Sequence, residues 1–331
     1  TLSSFKKQST MPFASVPQQF FPLDREINYT FEQDQAKSID FRIINNTYNQ
    51  LIGVKRPLPA TSVTINIASI LRSQIAFTPR FGASGFRNLT DRGITIRVEA
   101  VETDSGLLVD TSPVRTFLIG DQQVIIPGIR TTMPLERIIP ADASDEISLL
   151  TEEDCTLYIT AEGPDSTQIQ SYSASGAGLH IFYLSPADFP GCETLTLDAG
   201  RYGEIRYTVV PASEEFTRIA WQSHAGSVEQ YSFPVTQSTT LRTSKQRAEG
   251  YDGHLVTQIE SSREMTFVSA LEREAVLEPL CEILSSPNVW INRHGGFIPL
   301  DILSEEAVIR QYGVLRTLEI VSRPKNDQQW I

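Results

Sequence analysis

The sequence predicts a mainly β protein made of β-sandwich or jelly-roll-like domains, with one amphipathic helix in the C-terminal domain. Three observations lead to this fold class. Apolar and polar residues alternate over many short segments, as they do in half-buried strands. Glycine, proline, serine and aspartate separate these segments at the short intervals typical of sandwiches and barrels. Strand patterns do not alternate with long helical patterns, so a parallel α/β sheet is not expected.

The first 22 residues show neither a strand period nor a helix period. Residues 1–22 are rich in polar residues, proline and phenylalanine, which predicts an extended N-terminal arm. Phe13, Phe20 and Phe21 would be exposed to water in such an arm. Because clustered exposed rings mark interaction sites, these three residues are the candidate interface, and the arm is expected to lie across a neighbouring subunit.

Residues 23–140 are predicted to form a β-sandwich-like domain. Segments 27–31, 38–44 and 63–67 alternate apolar with polar residues, and 94–101 does so most clearly. A turn at 103–106 leads from that strand into a second one at 107–109, which predicts a hairpin. Strands are also expected at 116–119 and 123–126, on either side of Gly120 and Asp121.

The stretch 132–145 contains proline and aspartate, interrupts the alternation and predicts a domain boundary. A second β region, 141–212, follows it with four short strand patterns. The C-terminal β domain, 213–331, begins with strands at 216–221 and 228–233 around a turn. Arg242, Lys245 and Arg247 are interpreted as a small basic cluster at another turn.

One helix is predicted at residues 272–286, where apolar residues recur at helical spacing. Glu272 and Glu274 lie near its start, where the helix dipole favours acidic side chains, and Pro279 is expected to kink it. The exposed side is predicted to carry Glu278 and Glu282. The buried stripe is predicted to contain Ala275, Val276, Leu280, Ile283 and Leu284.

Charge and cysteine content exclude several classes of function. The 28 basic and 40 acidic residues give a net charge of -12, which disfavours direct nucleic-acid binding. Three widely spaced cysteines predict neither a disulfide framework nor a zinc site, and favour a reducing compartment. The sequence contains no run of about 18 apolar residues, so no membrane span is expected.

Catalytic motifs are also missing from the sequence. It contains neither a phosphate-binding loop nor a dinucleotide fingerprint. His180, His224, His254 and His294 lack the spacing of metal ligands, and no GxSxG elbow marks a nucleophile, although a triad assembled in space stays open. The acidic clusters at 142–146 and 152–154 are interpreted as solvated turns. We therefore expect no catalytic residue, no metal, no cofactor and no enzymatic activity.

Aromatic residues leave a carbohydrate-binding module open as an alternative. Trp221, Tyr231, Tyr251 and Trp290 could form a platform on which sugar rings stack. The competing interpretation places Trp221 in the core, because it alternates with polar residues along a strand.

Three segments resemble tail and other virion proteins of bacteriophages, especially those that infect Bacteroidetes. They are the strand followed by Ile-Leu-Arg-Ser at 63–73, the tryptophan-containing hairpin at 219–233, and the helix with two following strands at 277–302. Ser223 and Ser227 stand where the hairpin pattern usually has asparagine and glycine.

The resemblance implies a structural component of a virus particle, in a phage tail or a head-to-tail assembly. Its partners would be copies of itself and other virion proteins, and it would be assembled in the cytoplasm of a bacterial host. A capsid protein with jelly-roll barrels is the alternative within this class, since two blocks of about eight strands would permit it.

Overall fold

The computed structural model describes residues 12–80, 82–87, 91–120, 125–213, 216–251, 253–293 and 296–326. The chain divides into two compact units, one containing 1–78 and 89–126 and the other containing 79–88 and 127–331. This division differs from the predicted one. The described part of the predicted arm belongs to the first unit, and the predicted regions 141–212 and 213–331 share the second.

The secondary structure is almost entirely β. Through residue 126 the elements are β1 (Phe13–Ser15), β2 (Phe20–Pro22), β3 (Asn28–Glu32), β4 (Ile39–Asn45), β5 (Gln50–Lys55), β6 (Ser62–Asn66), α1 (Ala68–Arg72), β7 (Gly85–Arg87), β8 (Gly93–Glu102), β9 (Leu108–Thr111) and β10 (Arg115–Leu118).

The elements that follow are β11 (Gly128–Arg130), β12 (Glu136–Pro140), β13 (Asp145–Thr151), β14 (Cys155–Glu162), β15 (Thr167–Ala174), β16 (Gly178–Leu184), β17 (Thr194–Asp198), β18 (Glu204–Val210), β19 (Thr217–Gln222), β20 (Val228–Phe233), β21 (Val235–Gly250), β22 (Gly253–Val268), α2 (Glu274–Leu280), α3 (Glu282–Ser285), β23 (Val289–Arg293), β24 (Gly296–Ile302), β25 (Val308–Tyr312) and β26 (Leu315–Pro324).

The first unit is a sandwich of two sheets. Sheet A has the order β1-β3-β6, and sheet B has the order β2-β10-β8-β4-β5, with β9 also paired to β8. The alternation in β8 buries Ile94, Ile96 and Val98 on one face, as the sequence predicts. These residues pack in one core with Phe31 and Ile65 of sheet A.

Phe13 lies in this core and not in an exposed arm. Only 8% of its surface is exposed, and its ring lies edge-on to Phe31, with 5.4 Å between the centroids. The backbone N–H of Phe13 donates to the Asp110 carboxylate over 3.3 Å. The prediction of exposed rings is therefore wrong for Phe13, because residues 13–15 pair with β3 as an edge strand.

Phe20 and Phe21 are half-buried in β2, which pairs in parallel with β10. The Phe21 ring contacts Phe117, with 6.3 Å between the centroids. The described part of the predicted arm, residues 12–22, is thus built into its own unit.

The second unit contains a further sandwich and a large antiparallel sheet. Sheet C has the order β11-β13-β16-β7 and sheet D the order β12-β18-β17-β14-β15, and both contribute to one core. Sheet E has the order β20-β19-β23-β24-β26-β22-β21, with β25 also paired to β26. Residues of α2 and α3 join its core. These sheets confirm the predicted mainly β fold of sandwich-like domains with a short helical segment near the C-terminus.

The predicted C-terminal helix is present in two pieces, α2 and α3, which meet at Cys281. Leu280 and Ile283 are fully buried, and Val276 and Leu284 are half-buried against the same core. Ala275 is exposed, contrary to the prediction.

Leu277 takes the buried place next to Leu280, so the stripe is rotated by part of a turn. Glu282 is half-buried and accepts a hydrogen bond of 2.9 Å from the Thr132 hydroxyl. The sequence pattern predicts it on the exposed side of the helix.

Several other predictions need correction. The predicted boundary at 132–145 contains the strand β12, which pairs in parallel with β18. Asp145 and Glu146 are buried in β13 and do not lie in a solvated turn. Arg242, Lys245 and Arg247 lie within the strand β21 and not at a turn. Of the predicted strand at 123–126, residues 123 and 124 lie outside the described residues, as does His294, and residues 125 and 126 are not part of a strand.

We expect Phe13→Ala to lower the free energy of unfolding by about 3–5 kcal/mol, because it removes a ring from a packed aromatic cluster. Phe20→Ala removes a half-buried ring from β2 in sheet B, and it should lower the free energy of unfolding clearly less than Phe13→Ala does. Urea titration of both variants measures the difference. A Phe13→Ala cost no larger than that of Phe20→Ala would contradict the placement of Phe13 in the core.

We expect Leu280→Ala to lower the free energy of unfolding by about 2–5 kcal/mol through lost burial and the cavity left behind. Glu278 is exposed on the neighbouring turn, and Glu278→Ala should change stability by less than about 0.5 kcal/mol. Equal midpoints of the two variants in a denaturant titration would show that the buried stripe has been misassigned.

Candidate functional site

The strands β21 and β22 form a long two-stranded hairpin, which we call the ribbon (residues 235–268). Each strand has 16 residues, and at the usual rise per residue each spans about 50 Å. Among the described residues of the ribbon, only Met265–Val268, at its base, pair with another strand, β26. An isolated two-stranded hairpin is at best marginally stable in water, so the free part of the ribbon is stabilised mainly by its own cross-strand bonds.

The free part of the ribbon is exposed on both faces. Residues 238–249 and 253–261 are all exposed. Large apolar side chains are among them, namely Leu241, Leu255, Val256 and Ile259, each at least 46% exposed, and Tyr251 at the tip is fully exposed. Exposed apolar groups that recur along one element are typical of an interaction surface.

A β-bulge brings three of these apolar residues to one face. The register shifts between Gln246 and Arg247, which leaves Thr257 as an extra residue in β22. Without the bulge, Val256 and Ile259 would point to opposite faces, because they are three positions apart. With it, Val256 lies opposite Arg247, on the face that carries Ile259 and Leu241. We call Leu241, Val256 and Ile259 the ribbon stripe.

The face that carries the ribbon stripe is also basic. Among its other described residues are Lys245, Arg247 and Arg263 and one carboxylate, that of Glu249. On the opposite face, Arg242 lies 2.6 Å from Glu264. In a chain with a net charge of -12, this face is suited to an acidic partner surface.

The base of the ribbon is anchored in the core of sheet E. Met265 and Phe267 are buried, and the Phe267 ring lies 5.9 Å from that of Phe233 on β20. Gly253 closes the tip with φ of +109°, a conformation that side chains rarely adopt. A rigid base thus carries a long exposed element.

Buried ion pairs connect sheet E with the C–D sandwich. Arg137 of β12 lies 3.2 Å from Glu229 of β20, whose side chain is 1% exposed. Arg218 of β19 pairs with the buried Asp145 of β13 and also donates to Gln230. Burial raises the pKa of the Glu229 carboxyl, and the charge of Arg137 opposes that rise. Each buried charge is therefore compensated by one from the other side of the junction.

A cavity of about 340 Å³ opens beside these ion pairs. Two of its polar lining groups bind each other, since the Tyr231 hydroxyl donates to Glu272 over 2.7 Å, and the lining residue Ser232 accepts from Arg218 over 2.7 Å. The rest of the lining is apolar and consists of Met133, Pro134, Ile138, Pro140, Val210, Phe216, Pro234, Ala270 and Val276. Such a cavity suits the burial of an apolar group better than acid–base chemistry.

The structure does not bring the sequence-predicted aromatic platform together. Trp221 and Trp290 are buried, Tyr231 is half-buried, and Tyr251 lies at the ribbon tip. The two buried tryptophans present no face on which a sugar could stack, and Trp221 is a core residue, as the competing interpretation held.

The described histidines lie in three separate places. His180 is within 3.1 Å of the Thr151 hydroxyl, His224 is within 3.2 Å of the Ser285 hydroxyl, and His254 lies on the ribbon. No group of three or more metal-binding side chains is found among the residues that the structure describes. All three cysteines are free, and burial raises the pKa of each thiol.

Within the described ranges, no helix is long and apolar enough to span a membrane.

We expect Arg137→Met to lower the free energy of unfolding by about 3–5 kcal/mol, because it leaves the Glu229 carboxylate buried without its cation. The double variant Arg137→Met/Glu229→Gln removes both charges and should recover much of that loss. A double-mutant cycle by urea titration measures the coupling. Additive effects of the two single changes would contradict a coupled pair.

No family model matches the sequence, and no curated protein matches it. Similar solved structures include one described as "DIP-gamma IG1+IG2", at 8% identity over 59% of this chain and 93% of that one, with a TM-score of 0.18. Another, "Dpr2 Ig1-Ig2 in complex with DIP-Theta Ig1-Ig3", has 9% identity over 96% and 90% of the two chains, with a TM-score of 0.21. Likeness of this degree carries no argument about partners, and the fold class rests on the sheets themselves.

Proposed function

We propose that this chain is a non-enzymatic structural subunit of a larger assembly, and that the ribbon is the element through which it holds a neighbouring copy. The observation that carries the proposal is the exposed ribbon stripe on a hairpin about 50 Å long. A two-stranded hairpin of this length has no hydrophobic core of its own that would stabilise it. Contact with a neighbour would cover the stripe and add the pairing that the free strands lack.

The proposed neighbour is a second copy of this chain. The stripe face carries Lys245, Arg247 and Arg263 around its apolar residues, whereas the whole chain has a net charge of -12. Another copy therefore supplies the acidic surface that this face favours. A ribbon that binds a different patch on the next copy makes a heterologous contact, which generates rings or helical tubes.

The kind of assembly that we propose is a virus particle, in the tail or the head-to-tail region of a phage. The support is the resemblance of the segments 63–73, 219–233 and 277–302 to such proteins. Rings and tubes are the architectures of these regions, and a heterologous contact is compatible with them. The candidate interface proposed for this role is the ribbon, since Phe13 lies in the core and Phe20 and Phe21 are half-buried in a strand of their own unit.

We expect the full chain to form rings or tubes in negative-stain micrographs at high concentration, and to lose them when the ribbon is shortened. Thr240 and Glu264 are cross-strand partners, so replacing 241–263 by an Asn-Gly turn closes the hairpin at that pair. The shortened chain should keep its melting temperature, because the deleted residues lie outside the core. Sedimentation velocity gives the size of the particles in solution.

A matched pair of point variants separates the two faces of the ribbon. Ile259 is 60% exposed on the stripe face, and Leu255 is 63% exposed on the opposite face. Ile259→Ser should weaken assembly roughly tenfold, whereas Leu255→Ser should have little effect. A full chain that stays monomeric at every concentration, or assembles equally well without the ribbon, would contradict the proposed function. Closed shells would instead favour a capsid protein.

A further inference from the structure

The strand β15 (Thr167–Ala174) is an unprotected edge of sheet D. It pairs with β14 on one side, and it is the terminal strand of its sheet. Its first five residues are exposed, and Ile169 is 68% exposed. The eight residues include no charged residue and no proline, and the pairing with β14 runs without a bulge. Natural sheets normally protect such an edge, because it can pair with another strand.

The hydrogen-bond register identifies the backbone groups that face outward. Gly163 N–H donates to the Ser166 carbonyl over 2.9 Å, at the start of the β14–β15 hairpin. Hydrogen-bonded pairs alternate along an antiparallel ladder, so Gln168, Gln170 and Tyr172 bond to β14. The N–H and C=O groups of Thr167, Ile169 and Ser171 therefore point away from the sheet.

Several other edge strands in the described chain carry the usual protection, although the shorter edge strand β6 (Ser62–Asn66) also lacks charge, proline and a bulge. β5 ends in Lys55 and pairs with β4 through an irregular register. β12 contains two charged residues and ends in Pro140. β21 contains three basic residues, and its pairing with β22 is interrupted by β-bulges. β15 differs from these protected strands, and it is longer than β6 with five consecutive exposed residues, which indicates that its edge is used rather than avoided.

We propose that β15 pairs with β15 of a second copy of this chain, antiparallel about a two-fold axis at Ile169. A strand of uncharged residues pairs with itself without placing like charges opposite each other, whereas an edge built for a charged partner would carry complementary charge. The pairing joins two five-stranded sheets D into one continuous sheet. This contact involves a different surface from the ribbon and does not depend on the proposed function.

A two-fold axis at Ile169 gives a hydrogen-bond partner to each outward-facing backbone N–H and C=O group in the exposed half of the strand. It places Thr167 opposite Ser171 of the other copy and Ile169 opposite its own counterpart, which gives about six backbone hydrogen bonds. The two Ile169 side chains cover each other on the sheet face next to Thr160. The pairing ends before Tyr172, whose ring packs against Phe182 of sheet C.

The test uses the chain with the shortened ribbon, so that ribbon contacts do not obscure the result. Sedimentation velocity should show a concentration-dependent dimer. Ile169→Pro removes an outward N–H that the fold does not use, and Ile169→Lys places two cations at the axis; each should raise the dissociation constant roughly tenfold or more. Ile169→Val keeps the backbone groups and should leave the dimer nearly unchanged.

Disulfide trapping locates the contact independently of stability. At the axis two Ile169→Cys residues would have Cα atoms about 5.5 Å apart, within the range of a disulfide, so oxidation should give a covalent dimer. Tyr158→Cys, half-exposed on the same face of the next strand, should not cross-link. A monomeric shortened chain, a dimer unaffected by both Ile169→Pro and Ile169→Lys, or equal cross-linking at 158 and 169 would overturn the proposal.

Discussion

The second unit depends on the pairing of charges at the junction between its sandwich and its large sheet. β13 is buried along its whole length. A charged carboxylate such as that of Asp145 is stable there only when a cation pairs with it. Arg218 of β19 supplies that cation, and Arg137 of β12 does the same for Glu229 of β20. These pairs fix sheet E on the sandwich. The base of the ribbon belongs to this fixed sheet and is therefore rigid. The exposed outer part extends from that base, where a neighbouring copy can bind it.

Strands with one buried face were predictable from the sequence, and strands without one were not. β8 alternates apolar and polar residues because one of its faces meets the core, and its hairpin with β9 follows from the turn between them. β21 carries no such alternation, because both of its faces meet water. Its serine, threonine and basic residues therefore suggested a turn, although frequent threonine is compatible with a strand. The bulge that creates the ribbon stripe has no sequence signal that we can identify.

Two further differences have the same physical origin, since a local pattern does not reveal what a segment packs against. Residues 12–22 show no period because they form short edge strands of three residues, yet Phe13 completes an aromatic cluster with Phe31 and Phe41. The sequence predicts solvated turns for Asp145 and Glu146 because their acidic cluster flanks a strand pattern, and the buried cation opposite Asp145 comes from a strand 73 residues away. In the candidate site, the exposed tyrosine and the basic residues were visible in the sequence, but their common element was not.

The two proposed contacts lie on different elements, and the ribbon contact is heterologous whereas the β15 contact is two-fold symmetric. One copy could therefore make both contacts at once. The ribbon is the central one. In the free chain its amides have only marginal cross-strand protection, whereas contact with a neighbour should slow their exchange. Hydrogen–deuterium exchange of the full chain at low and high concentration tests this directly. We expect peptides from residues 241–263 to become strongly protected as the protein assembles, while exposed segments such as 308–312 stay unchanged. Equal exchange of the ribbon at both concentrations, with assemblies present, would contradict the account.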